Sequence, residues 1–282
     1  MQRVFLRLER FVAGLKTKKG RPGNVEKIVA DNATDDEAIT EPIYADWDAV
    51  LGTHARPGQT AEGVTFTGLD YEGLAVDDRF ERIVEGLAAL APEAVHGMGP
   101  NARCALYINA YNILCCARVV RAVKSGQRPG SILELSKKPA IWDVIAGNVA
   151  GDDLTLNKIE HEILRGGFDE PRLHACVNCA SRSCPNLRVQ AYRGTHLDSQ
   201  MNEQMALWLQ DKSKGLNCDF KQRPKISRIF LWFESDFKPQ GVSAFVAGFV
   251  KEADRDKVKR ASNKFNYFDY NWNLNEAPAA AA

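Results

Sequence analysis

The sequence has no run of about 18 apolar residues, so no part of it is expected to span a membrane. It has no excess of either charge. Thirty-seven Lys and Arg stand against 36 Asp and Glu, a net charge of +1. That gives neither the basic footprint of a nucleic-acid binder nor an acidic tail. It also lacks a Gly-rich phosphate-binding loop and an internal repeat. No secretory leader is read ahead of its seven cysteines, and their odd number argues against a disulfide framework. Reduced thiols in a cytoplasmic setting are expected, with no cofactor implied. What remains is 282 residues, 45% hydrophobic and 26% charged, enough to bury a full core.

The chain divides by composition. Residues 1–23 read as an amphipathic helical arm and linker, with Val4, Phe5, Leu8, Phe11, Val12 and Leu15 at helical spacing beside Arg3, Arg7 and Arg10. Such an arm can lie on a membrane surface, pair with a partner helix or pack on its own domain. Glu9 argues against a transit peptide. Residues 24–46 read as a flexible acidic stretch, 47–275 as the globular domain and 276–282 as a disordered tail.

Within the domain, Phe80, Ile83, Val84, Leu87 and Leu90 predict a helix ended by Pro92. The strongest helix runs from about Ala102 to Lys124, with Asn101 as N-cap and Ser125-Gly126 at its end. Asn109, Asn112 and Cys116 form a polar stripe on it. Asparagine is a poor helix former, so these two are expected to brace a neighbouring loop or to orient a catalytic group. A hairpin is predicted across Gly151-Asp-Asp153. Asn157 with Glu160 then reads as a capping box opening a further helix, and Thr195 with Asp198 as another cap. Ile226 to Phe233 reads as a strand and Val242 to Val250 as a helix. The fold class is α+β: a helix-rich domain with a small, mostly antiparallel sheet.

The chemistry concentrates in Arg172 to Pro185, which holds three cysteines and a histidine in fourteen residues. Alternation predicts a strand over Leu173–Asn178 that presents His174, Cys176 and Asn178 on one face. Cys179 then opens a polar loop closed by Cys184-Pro185. Three readings follow. The first is a cysteine-dependent hydrolase or transferase, with Cys179 as nucleophile and Cys184 as its rival. Arg182 would lower the thiol pKa. If the strand continued, His174 would stand about 16 Å from Cys179, so His161 is the easier base. Asn109 or Asn112 would orient that base, and Glu160 joins the catalytic set. Asn112, Arg182 and Ser183 are the substrate-binding candidates, the substrate being a small molecule or a protein. The second reading is a zinc site made by Cys179, Cys184, His161 and His174. The third is structural, with packed thiols in an interaction or scaffolding domain.

Five segments follow one another in an order that resembles a known family: Leu106-Tyr-Ile-Asn-Ala-Tyr-Asn112, Leu154 to Arg165, Asp169 to Pro185 with His-x4-Cys-x4-Cys-Pro, Phe230-Leu-Trp-Phe-Glu-Ser-Asp-Phe237 and Asn271-Trp-Asn-Leu-Asn275. In that series the chain resembles the domain of unknown function 547 family from Trp47 to Asn275. The closing motif departs from the family's more usual Tyr-Asp-Trp-Ser-Leu-Asn. The resemblance implies domain limits and no agreed activity. Similar domains occur alone or joined to coiled-coil, glutaredoxin-like or DEP modules, which fits the scaffolding reading.

Overall fold

The structure, a computed structural model, describes residues 25–31, 38–219 and 223–277. The amphipathic arm expected over 1–15 and its linker lie outside the described residues. The architecture is α+β, with small sheets of two, two and three strands between helices.

The longest helix, Pro100–Lys124, is the axis of the molecule. Gly99 caps it and Pro100 opens it, where a fixed φ and a missing N–H cost nothing. Gly126, at φ 80°, turns the chain away beyond its end. Asn101 is therefore not the N-cap. It lies in the first turn, fully buried, and its amide bonds both the N–H and the C=O of Val29. That contact straps residues 25–31 across the helix start, beside the Arg103–Glu26 ion pair. The long helix is buried along most of its circumference, as a nearly all-round apolar helix must be.

Around it pack the helix Asp78–Ala89, capped by Asp77, and the hairpin Ile145–Val149/Asp152–Thr155. The hairpin turns on Ala150 and Gly151, both at positive φ, as a two-residue hairpin turn requires. The helix Glu41–His54 opens inside the stretch read as 24–46 and buries Tyr44, Trp47 and Leu51. Among the described residues no helix is long and apolar enough to cross a membrane.

Two predicted strands are helical turns instead. Leu173–Cys176 is a single helical turn, and all four of its side chains are buried. Burial on every side removes the distinction between faces on which the alternation argument rested. The central motif is therefore not carried by a sheet. Likewise only Lys225–Ile226 is strand; Ser227 then receives the amide of Ile229 and starts the turn Ile229–Trp232. Thr195 does not cap the helix Leu197–Gln210, whose N-cap is His196.

Buried apolar residues form two clusters. One surrounds the long helix; the other gathers Trp208, Phe230, Phe237 and Phe245. The Cys loop lies on the seam, with Cys176 and Ala180 in the first and Ala175 and Cys184 in the second. The end of the chain crosses this seam as an extended strap. Its backbone bonds Ser183 through Asn271, Arg182 through Asn273, Ala180 through Asn275 and Leu69 through Asn275 and Ala277. Residues 276 and 277, read as disordered tail, belong to this docked strap: Glu276 bridges to Leu69 and Ala277 is buried.

Candidate functional site

A cleft with about 620 Å³ of empty space, part of it open to solvent, lies at the seam. Its walls are Tyr111 of the long helix, Trp142, Trp232, Phe233, Tyr270 and Trp272. Cys179, Cys184, Glu160, His161 and His174 supply its polar groups, together with Asn157.

The loop that delivers the cysteines is fixed by two asparagines. Asn112, on the long helix, donates to the carbonyl of Cys176 at 2.9 Å and accepts from the amide of Asn178 at 2.8 Å. Asn178 then donates to the carbonyl of Pro185 and accepts from the amide of Ala180. Ala180 takes a left-handed φ of 60°, a costly conformation for a residue with a Cβ, and reverses the chain. The extended separation of His174 and Cys179 expected from a strand does not arise. A helical turn and a reversed loop bring both residues to one cavity.

Cys179 Sγ and Cys184 Sγ lie 2.7 Å apart. Four donors converge on Cys184 Sγ: the Cys179 thiol, the Cys179 backbone N–H at 3.2 Å, Ser181 Oγ at 3.3 Å and Tyr270 OH at 3.1 Å. Burial alone would raise this thiol, but the hydrogen bonds from Cys179, Ser181 and Tyr270 overcome it and bring its pKa down to about 6. Cys179 donates to Cys184 and is buried besides, and both effects push its own pKa up. The more acidic sulfur is thus Cys184, although Cys179 is the more exposed of the two. That reverses the assignment made from loop position alone. Lys214, 2% exposed, supports the loop by donating to the carbonyl of Arg182 and to Asn186 Oδ1. Burial lowers its pKa to about 8.

The histidines differ in role. Arg165 donates to His161 Nδ1 at 2.9 Å. A guanidinium has no acceptor, so the imidazole proton sits on Nε2. Burial lowers the His161 pKa, and the Arg165 charge adds to this. His161 is a neutral donor whose basic nitrogen is occupied, which removes it as general base. Arg165 also grips Asp236 through two bonds, Nε to Oδ2 at 2.6 Å and Nη2 to Oδ1 at 3.0 Å. Burial opposes the Asp236 charge, but His174 and Arg165 hold its carboxyl far below the usual range. His174 Nε2 donates to Asp236 Oδ2 at 2.9 Å, and its ring stacks on Phe233 at 4.5 Å. Its Nδ1 has no hydrogen-bond partner among the described residues. A carboxylate orienting an imidazole from behind is the arrangement that a general base needs.

Glu160 and His161 lie on a π-helical segment, Lys158–Leu164. Asn157 is no cap: it is already helical and donates to Asp143, while Thr155 Oγ1 takes the Lys158 amide. The capping-box role of Glu160 therefore falls away. Its carboxylate has no hydrogen-bond partner among the described residues and lines the cavity.

Other candidates are placed elsewhere. Asn109 bonds both the N–H and the C=O of Tyr192, a purely structural brace. Asn112 braces the Cys loop and does not line the cavity. Arg182 turns away, donating to the Leu274 carbonyl and lying over Phe66 in a separate cleft, so it is not the charge that lowers a thiol pKa. Ser183 Oγ accepts the amide of Asn271 and anchors the strap. Among the described residues, no group of three or more His, Cys, Asp or Glu could hold a metal ion. Asp236, Arg165, Tyr270 and Ser181 complete the site without having been singled out as site residues. Asp236 sits in the Phe230–Phe237 family segment, beyond the Ile226–Phe233 stretch read as a strand, and Tyr270 just before the terminal motif; only long-range folding brings Asp236 to His174 and Tyr270 to the cavity.

Residues 95–209 match the family model described as protein of unknown function, DUF547, which supports the resemblance drawn from the five segments. The match spans the long helix, the hairpin, the π segment and the Cys loop, and stops short of Asp236 and Tyr270. No curated protein and no solved structure matches the chain.

Proposed function

We propose that the chain is a cysteine-dependent hydrolase or transferase whose nucleophile is Cys184. The observation behind this reading is the convergence of four donors on Cys184 Sγ in a cavity also lined by His174, whose Nε2 is bonded to Asp236. A thiolate present at neutral pH attacks without a base. His174, held by Asp236, is placed to pass a proton at Nδ1 to a leaving group or to take one from incoming water. His161 offers its Nε2–H to a developing oxyanion. The aromatic walls suit an electrophile with an apolar or planar group, such as an acyl ester or thioester.

The test is to trap the covalent intermediate. The reduced full chain, mixed with a panel of aryl esters and acyl thioesters, should gain one acyl group by intact mass, mapped to Cys184. His174→Gln should slow turnover on a substrate that acylates the enzyme. No adduct from any acyl donor, with alkylation of the loop only at the free-thiol pKa of about 8.5, would leave a binding domain in place of an enzyme.

A further inference from the structure

Acyl transfer uses one sulfur, and this site holds two in contact. Cys179 Sγ needs to move by well under an ångström from its 2.7 Å separation to reach the ~2.05 Å of a disulfide. The pairing does not depend on loop fluctuation, because Asn112, Asn178 and the strap fix the loop at several points. The other five cysteines offer no comparable arrangement. Cys104, Cys115, Cys116 and Cys176 are buried, and burial raises their thiol pKa; Cys218 is pushed up to about 11.

We propose that the pair reduces hydroperoxides, with Cys184 attacking the O–O bond and Cys179 resolving the product as an intramolecular disulfide. This rests on the same thiolate as the reading above. In the first step an S–O bond forms at Cys184 and the O–O bond breaks; the leaving alkoxide takes a proton and departs as an alcohol. In the second, Cys179 sulfur attacks the Cys184 sulfenic acid, and hydroxide leaves with the Cys179 proton as water. The dithiol loses two electrons and the peroxide gains them. An external dithiol reductant returns the pair to its starting state by exchange. The aromatic walls favour an organic hydroperoxide over hydrogen peroxide. Around Cys184 the titratable groups are Cys179, Tyr270, Tyr111, Cys115 and Lys214, with Glu160, His161 and His174 on the cavity wall.

The experiment uses the reduced full chain, freed of reductant and treated with one equivalent of cumene hydroperoxide or, separately, hydrogen peroxide. Thiols are then blocked and mapped by mass spectrometry. The expected product is a Cys179–Cys184 disulfide, formed faster with cumene hydroperoxide. At pH 6 about half of Cys184 is ionised, against well under 1% of a free thiol. Lower intrinsic nucleophilicity trims that advantage to about tenfold over free cysteine. Cys179→Ser should stop at a sulfenic acid that dimedone traps on residue 184. Tyr270→Phe, which keeps the ring and removes one donor, should shift the pH–rate midpoint upward. Oxidation no faster than free cysteine at pH 6, a disulfide elsewhere, or no sulfenic acid in the Cys179→Ser protein would each overturn the proposal. Acyl adducts without peroxide chemistry would sink this inference alone, and peroxide chemistry without acyl adducts would sink only the hydrolase or transferase reading.

Discussion

Tyr270 OH reaches Cys184 Sγ from the far end of the chain, so the reactivity of the thiolate depends on a residue eighty-six positions away. Alkylation by iodoacetamide should therefore occur at Cys184 with an apparent pKa near 6, and Tyr270→Phe should raise that value. Equal reactivity at Cys179, or a midpoint unchanged by Tyr270→Phe, would argue against the convergent donors as its cause. Asn112 acts on the same loop by a different route. Its amide serves one carbonyl and one N–H inside the core. Asn112→Ala leaves both unpaired, and the expected loss is about 2–4 kcal/mol in urea unfolding. A loss under about 0.5 kcal/mol would mean the loop stands without it.

At the scale of elements, the π segment and the turn Leu173–Cys176 share one buried charge. Asp236 joins them, receiving Arg165 from the first and His174 from the second. Asp236→Asn leaves a buried guanidinium without its counter-charge, at an expected cost of about 3–5 kcal/mol. The pH dependence has a definite sign. The folded pKa of His161 is lowered, so its contribution is fully present above the ordinary value of about 6.5 and is lost as pH falls below that. The folded pKa of Asp236 is lowered too, so a second loss begins below the ordinary carboxylate value of about 3.9. Thermal stability should fall from pH 7 to pH 5, and His161→Gln should flatten that slope. An unchanged slope in the variant would place the acid sensitivity elsewhere. The turn Leu173–Cys176 reads as a strand in the sequence, whereas the π segment reads as a helix and only its cap differs. The long helix and the hairpin Ile145–Thr155 announced themselves by apolar spacing and a Gly-Asp-Asp turn. The turn at Leu173 buries every side chain and the turn at Ile229 all but Leu231, so their short apolar runs imitate strands. The hairpin Ala55–Leu69 turns on Glu62-Gly63 and lacks the usual Asn or Asp signal. Five cavity residues were legible from residue type alone, because Cys, His and Glu clustered there. Asp236 and Tyr270 were not, since only tertiary contact gives them a role.

On the scale of the whole molecule, both ends of the described chain are tied down by long-range contacts. Val29 and Glu26 clasp the start of the long helix, and residues 271–277 lie between Leu69 and the Cys loop. Removing residues 1–24 should leave these contacts and cooperative unfolding intact. Removing residues 1–31 strips both Val29 bonds from buried Asn101, leaving it the Gly194 carbonyl, and should cost about 1–3 kcal/mol. Equal stability of the two truncations would show the clasp to be incidental. The strap has a consequence for biosynthesis. The amide of Asn275 reaches Ala180 and the hydroxyl of Tyr270 reaches Cys184, yet both are made long after the loop they complete. A nascent chain halted before residue 270 would expose Cys184 without its Tyr270 donor and with the acidity of a more ordinary thiol. The reactive sulfur therefore comes into being only once translation has passed the strap, and an unfinished polypeptide carries the pair unarmed.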